Sequence, residues 1–191
     1  MDEAIGMRNP RLGALTLLIL AAAATRLMPH PPNMTSVTAL SLFGGAYFAR
    51  RSLAFAVPLL ALLASDLVLG LYPHMAVQYL AFALIICIGF ALQRRRRPLP
   101  IAAAVLASSL TFFVITNLGV WLFDALYPKT LSGLAACYIA ALPFLRNTLF
   151  GDALYSAILF GGFHLLEQRF ETLRDRPAAL GAVPAAPLAS S

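Results

Sequence analysis

Arg146, Asn147 and Asp152 stand inside Ala141-Leu-Pro-Phe-Leu-Arg-Asn-Thr-Leu-Phe-Gly-Asp152, a stretch that is otherwise apolar. A guanidinium offers a fork of donors to an acid, an amide both donates and accepts, and a carboxylate accepts, so this set suits the grip of a polar solute. Asp66, Tyr79 and Asn117 lie in equally apolar surroundings, while His30, Asn33 and His74 fall in short Pro-containing connections. Neutral imidazole adds the capacity to ligate a transition metal. Catalytic spacing is missing from the set. No HExxH, GxSxG, DxD-type pair or phosphate-cradling glycine loop occurs, and the three histidines lie in different segments. The residues therefore predict binding or transport and no enzyme. Each also has a plainer role: Asp66 pairing with Arg26 or Arg146, Asn117 and Thr116 bonding between helices, Tyr79 as an interfacial aromatic.

Composition sets the environment of these groups. The chain is 60% hydrophobic and 12% charged with a mean hydropathy of +0.80, which describes an integral membrane protein. Its net charge of +6 comes from short basic clusters between apolar runs, not from one stripe, so it predicts orientation in a bilayer and no nucleic-acid partner. Cys87 and Cys137 are far apart with no CxxC spacing, so neither a disulfide framework nor a zinc site is implied.

A membrane-spanning helix needs about 20 mostly apolar residues. Runs of that kind predict helices over about 11–28, 36–48, 53–72, 75–92, 101–123 and 147–166. The first apolar run has no clean cleavage site after it and reads as a retained helix. The Pro-rich segment 29–36 cannot be helical, and its Asn33 and Ser36 are good caps for the second helix, which carries Gly44-Gly45 for close approach of a neighbour. Leu131 to Phe144 is short for a span, and Leu131 to Arg146 is expected to fold as a helical outer loop between helices 5 and 6.

Short cytoplasmic loops are enriched in Lys and Arg. With Arg8, Arg11, Arg50, Arg51, Arg94, Arg95, Arg96 and Arg97 inside, the tail residues Arg169, Arg174 and Arg176 also fall inside only for an even number of crossings. The expected architecture is an all-α integral membrane protein with six transmembrane helices and both termini cytoplasmic. Residues 1–170 form a single domain, and 171–191, rich in Ala, Pro and Ser, form a disordered cytoplasmic tail. Asp66 then lies about 9 Å from the outer end of its helix at 1.5 Å per residue. Tyr79, Asn117 and Asp152 share the outer half, and His30, Asn33, His74 and Arg146 lie just above. The expected result is an apolar bundle with a polar cavity open to the outside.

The run Pro32 to Phe48, then Pro58-Leu-Leu-Ala-Leu-Leu-Ala-Ser-Asp-Leu-Val-Leu-Gly70, Thr116-Asn-Leu-Gly-Val-Trp121 and Leu142-Pro-Phe-Leu-Arg-Asn-Thr-Leu-Phe-Gly-Asp152 resemble the substrate-binding S-components of energy-coupling factor vitamin transporters. The likeness is greatest to solitary cobalamin S-components of the BtuM type and a related family of bacterial membrane proteins, and it covers about residues 11–166. The resemblance implies a six-helix S-component-like bundle in the bacterial cytoplasmic membrane, with a vitamin site at the outer face. It places contacts on His30, Asp66, Tyr79 and Arg146. The partners it implies are the bilayer, a vitamin, and either an energy-coupling ATPase module or none. Cobalamin enters as substrate, with no intrinsic cofactor.

Two departures accompany the likeness. Where the cobalamin family carries a cobalt-ligating cysteine at the outer start of helix 4, this chain has His74-Met75, which makes His74 the candidate cobalt ligand. On helix 1 the nearest small-xxx-small pair is Ala21 and Thr25, where many S-components carry an Ala-x-x-x-Ala docking stripe. The function expected is capture of cobalamin or another corrinoid. The alternative is a membrane scaffold or assembly factor whose outer charges are structural locks.

Overall fold

The computed structural model of the chain describes residues 9–174, and every regular element among them is helical. The helices are α1 (Pro10–Ala24), α2 (Val37–Tyr47), α3 (Arg51–Leu69), α4 (Met75–Phe90), α5 (Pro98–Phe123), α6 (Leu131–Ser156) and α7 (Gly162–Arg169). Four helical stretches are long and apolar enough to cross a membrane: Pro10–Leu27, Arg51–Leu69, Pro98–Phe123 and Leu131–Arg169. Two further apolar helices, α2 and α4, are shorter.

Sequence chemistry explains several boundaries. Asn9 caps α1, its Oδ1 accepting from the amides of Arg11 at 3.1 Å and Leu12 at 3.3 Å, and Pro10 occupies the first turn, where a missing N–H costs nothing. Gly70 ends α3 at φ 99°, a conformation that L side chains rarely adopt. Ser36 stands at the N-cap of α2 but makes no capping bond; its hydroxyl donates to the Ala22 carbonyl at 2.6 Å instead. Asn33 lies outside the helix with φ 61°, holding the turn of the Pro-rich loop. The capping role expected of both is therefore not played, because Ser36 meets α1 before it can meet its own helix.

One end of the bundle carries Arg50, Arg51 and Arg94 to Arg97, the other the connections 28–36, 70–74 and 124–130. Arg11 and Glu167 form an ion pair at 2.7 Å, and Arg11 also donates to the Leu173 carbonyl. The described chain thus begins and finishes at the arginine end. Glu171–Leu173 forms a 3-10 turn there, and the rest of the tail, 175–191, lies outside the described residues.

The structure corrects the reading of residues 131–166. Leu131 to Arg146 is not a separate outer-loop helix followed by a new one at Asn147; α6 runs unbroken from Leu131 to Ser156 and continues through a π-helical turn, Ala157–Gly161, into α7. Arg146 and Asn147 are polar, but neither breaks a helix. Pro143 withdraws a single backbone donor, and Thr148 downstream bonds the Phe144 carbonyl at 3.0 Å within the same helix. The argument from a short apolar run fails because the run does not end at Phe144.

The axis of the bundle is α2. All eleven of its residues are buried, and α1, α3, α4, α5 and α6 all touch it. Its approach to α4 is backbone on backbone. A Cβ on Gly89 would lie 2.5 Å from the Leu42 carbonyl oxygen and 2.8 Å from the Gly45 Cα, and a Cβ on Gly45 would run into the Ile86 carbonyl. On the opposite side a Cβ on Gly44 would meet Pro58 Cγ of α3 at 2.6 Å. Gly45→Ala and Gly89→Ala are each expected to lose about 1–3 kcal/mol or more through overpacking. Gly13→Ala, with nothing within 4 Å of its would-be Cβ, serves as the control. Thermal unfolding in detergent measures all three, and equal effects at Gly13 and Gly89 would refute the crossing.

Candidate functional site

Opposite the arginine end, the last turn of α3 meets the start of α4 and the segment that follows α1. Asp66 is 0% exposed, and both of its oxygens are engaged: Arg26 donates to Oδ1 at 2.7 Å and the Tyr79 hydroxyl donates to Oδ2 at 2.9 Å. Arg26 also donates to the Ser65 hydroxyl at 2.5 Å. Tyr72, in the connection to α4, donates to Gln78 Oε1 at 3.1 Å, and burial followed by the nearby Asp66 carboxylate pushes its phenol up from the ordinary value. A buried carboxylate is costly unless paired and hydrogen-bonded, and this one is both. The cluster ties α1, α3 and α4 together.

Next to it the first connection is set low. Asn147 Nδ2 donates to the Pro32 carbonyl at 3.0 Å, and Met34 packs on Gly151, where a Cβ would lie 3.1 Å from the Met34 Cα. Asn147 comes sixteen positions after Leu131, roughly 24 Å along the helix at 1.5 Å per residue. The first half of α6 meanwhile pairs with the second half of α5: Tyr138 donates to the Val114 carbonyl at 2.8 Å and the Cys137 thiol lies 3.5 Å from the Asn117 carbonyl, while Trp121 of α5 donates to the Pro128 carbonyl of the connection between them at 2.9 Å. Val77 of α4 fills the space beside Gly119. The ends of α4, α5 and α6 therefore rise past the loop 28–36, which forms a step below them.

The eight residues singled out from the sequence do not form one cluster. Asp66 and Tyr79 touch. His30 and Asn33 lie exposed on the low loop, and Arg146 is exposed on α6 beside the Asn147 anchor, with no hydrogen bond or ion pair to another described residue. His30 Nδ1 lies 3.1 Å from the Pro31 carbonyl. His74 Nε2 is 2.7 Å from Asp124 Oδ1, and its ring stacks on Phe123 with centroids 5.5 Å apart. Asn117 bonds back to the Phe113 carbonyl of its own helix at 2.8 Å. Asp152 is buried between helices, with the Ser109 hydroxyl donating to it at 2.6 Å. No group of three or more His, Cys, Asp or Glu side chains able to hold a metal occurs among the described residues.

Partners that the sequence left without a role are Ser65, Ser109 and Asp124, while Asn147, named there as a solute contact, instead holds the loop through the Pro32 carbonyl. Asp124 follows the apolar run of α5 directly, as His74 precedes that of α4, and this matched position at two helix ends was the available signal. Ser109 gave none, being one of two adjacent serines in the middle of an apolar helix.

A cleft of about 970 Å³ lies at the arginine end, between the first half of α5 and the stretch 149–167. None of the eight predicted residues lines it. A polar cavity was expected at the opposite end, whereas this open cleft at the arginine end was not expected.

If the buried pair is a lock, Arg26→Met or Asp66→Leu alone should destabilise by about 3–5 kcal/mol, because each leaves an unpaired buried charge, and the double variant should cost less than either single. A double-mutant cycle by thermal unfolding measures this coupling, and simple additivity would contradict it.

With the geometry described, comparison with known proteins gives one match. No curated protein and no solved structure matches the chain. A family model covers residues 7–177, and the chain belongs to that family, which is described as a family of unknown function, DUF6580.

Proposed function

We propose that the chain is a substrate-binding membrane subunit that captures a vitamin-sized solute, cobalamin or another corrinoid, in the manner of S-components. In this reading the chain crosses the bacterial cytoplasmic membrane six times, with the arginine end and both termini in the cytoplasm and the stepped end outside. The arginine clusters, the return of the chain to the end where it began and the six apolar helices support that orientation.

The observation that carries the proposal is the step itself. The loop 28–36 is anchored low on α6 through Asn147 and Gly151, below the ends of α4, α5 and α6, with polar side chains on the loop and around it. Arg146 would grip an acidic or amide group of the solute, with His30 and Asn33 on the same loop and His74 released from Asp124 as the nitrogen ligand to cobalt. Asp66 and Tyr79 act in this reading as a latch with Arg26. Opening the latch would free the loop, and solute binding would shift the protein toward the open form only so far as the solute binds that form more tightly.

A second reading is favoured by the completeness of that same latch. Both Asp66 oxygens are already taken by protein donors, as expected of a scaffold whose charges only hold helices together.

Protein purified from corrinoid-fed cells should carry the visible spectrum of a bound corrinoid. Arg146→Gln should weaken its retention by about tenfold, the loss of one charge-assisted contact. His74→Ala should shift the spectrum. A colourless protein that does not bind cobalamin after supplementation would reject capture and leave the scaffold.

A further inference from the structure

The cleft at the arginine end has the features of a second binding site. Helices α5 and α6 touch along one half of their length, down to the bond between Ser109 and Asp152, and then part. Beyond that point Ile101, Val105, Leu149 and Phe160 line the gap. Ala153, Ala157 and Gly161, all exposed, keep its edge low on the α6 side. The π-helical turn begins at Ala157, and such bulges are frequent at functional sites.

Two observations indicate what the gap accepts. First, its mouth is cationic. Arg94 and Arg97 line it, exposed, and make no hydrogen bond or ion pair with another described residue. The acidic group at the mouth, Glu167, is already paired with Arg11 at 2.7 Å. Second, Ser156 lines the cleft at 3% exposure, and its buried hydroxyl has no hydrogen-bond partner among the described residues. A buried hydroxyl is ordinarily satisfied, most simply within its own helix; those of Ser41 and Ser108 also have no partner among the described residues, and of the three only Ser156 lines the cleft.

We propose that this cleft binds an anionic phospholipid from the leaflet at the arginine end, with its phosphate on Arg94 and Arg97, an ester carbonyl accepting from Ser156, and an acyl chain along the apolar walls. A small hydrated anion would gain nothing from those walls, and an uncharged lipid nothing from the mouth. Basic pockets between membrane helices have this chemistry. The volume of about 970 Å³ is at the upper end of small-ligand sites. The site is independent of whichever solute the opposite end takes.

Titrating the delipidated full chain in detergent with dioleoyl phosphatidylglycerol and dioleoyl phosphatidylcholine, followed by native mass spectrometry, tests the proposal. The anionic lipid should bind about tenfold more tightly or better, and R94Q/R97Q should remove that preference. Ser156→Ala should weaken phosphatidylglycerol by about threefold, the loss of one hydrogen bond. Ala157→Trp, at an exposed position on the cleft edge, should displace the lipid without disturbing the fold. Equal affinity for the two lipids, a preference that survives R94Q/R97Q, lipid retained by Ala157→Trp, or displacement of the lipid by inorganic phosphate would each overturn the assignment.

Discussion

The rest of the structure depends on how α2 is held. In a bilayer the surrounding hydrocarbon is as apolar as the side chains of α2, so burial from water supplies little of the attraction between helices, and close contact has to supply it. Gly44 and Gly45 provide that contact on two sides, toward Pro58 of α3 and toward Gly89 of α4. Because α2 is short, at eleven residues, this crossing also fixes where the preceding loop must lie. The loop enters the bundle at the level of Ser36, whose hydroxyl reaches the Ala22 carbonyl, and is pinned to α6 at Asn147. The step at one end of the molecule is therefore a consequence of a short axial helix.

Electrostatics completes what packing begins. The far ends of α3 and α4 and the segment after α1 have no glycine crossing of comparable depth, and their connection is made by Arg26, Asp66 and Tyr79. At the arginine end aromatic rings do the equivalent work. Phe43, Tyr47, Phe160 and Phe163 pack edge to face or tilted, with the Arg96 guanidinium 4.4 Å from the centre of the Tyr47 ring. Beside this second fastening α5 and α6 part and leave the cleft, which Tyr47 and Phe160 help to line.

Much of this was readable from residue order. The apolar runs and their basic boundaries located α1 to α5 to within a few residues, and Gly44-Gly45 announced the close crossing. Asp66 could be expected to need a cation, with Arg26 one of two choices, because both fall near the same end of adjacent helices. The continuity of α6 was not readable, since the apolar run 131–144 is short for a span and an even number of crossings set it apart as a loop, whereas the helix passes through Pro143, Arg146 and Asn147 without a break. Nor was the cleft, because it lies between two helical stretches distant in sequence and is edged by residues as plain as Ala153 and Ala157. The pairing of Ser109 with Asp152 joins positions 43 apart, a distance over which no local pattern operates.

The orientation of the stepped end decides whether it can capture anything from outside the cell. With Cys87 and Cys137 replaced by serine, single cysteines at positions 30, 146 and 95 can be tested with a membrane-impermeant maleimide on intact cells. The account predicts labelling at 30 and 146 in intact cells and at 95 only after permeabilisation. Labelling at 95 in intact cells, with 30 and 146 protected, would contradict it.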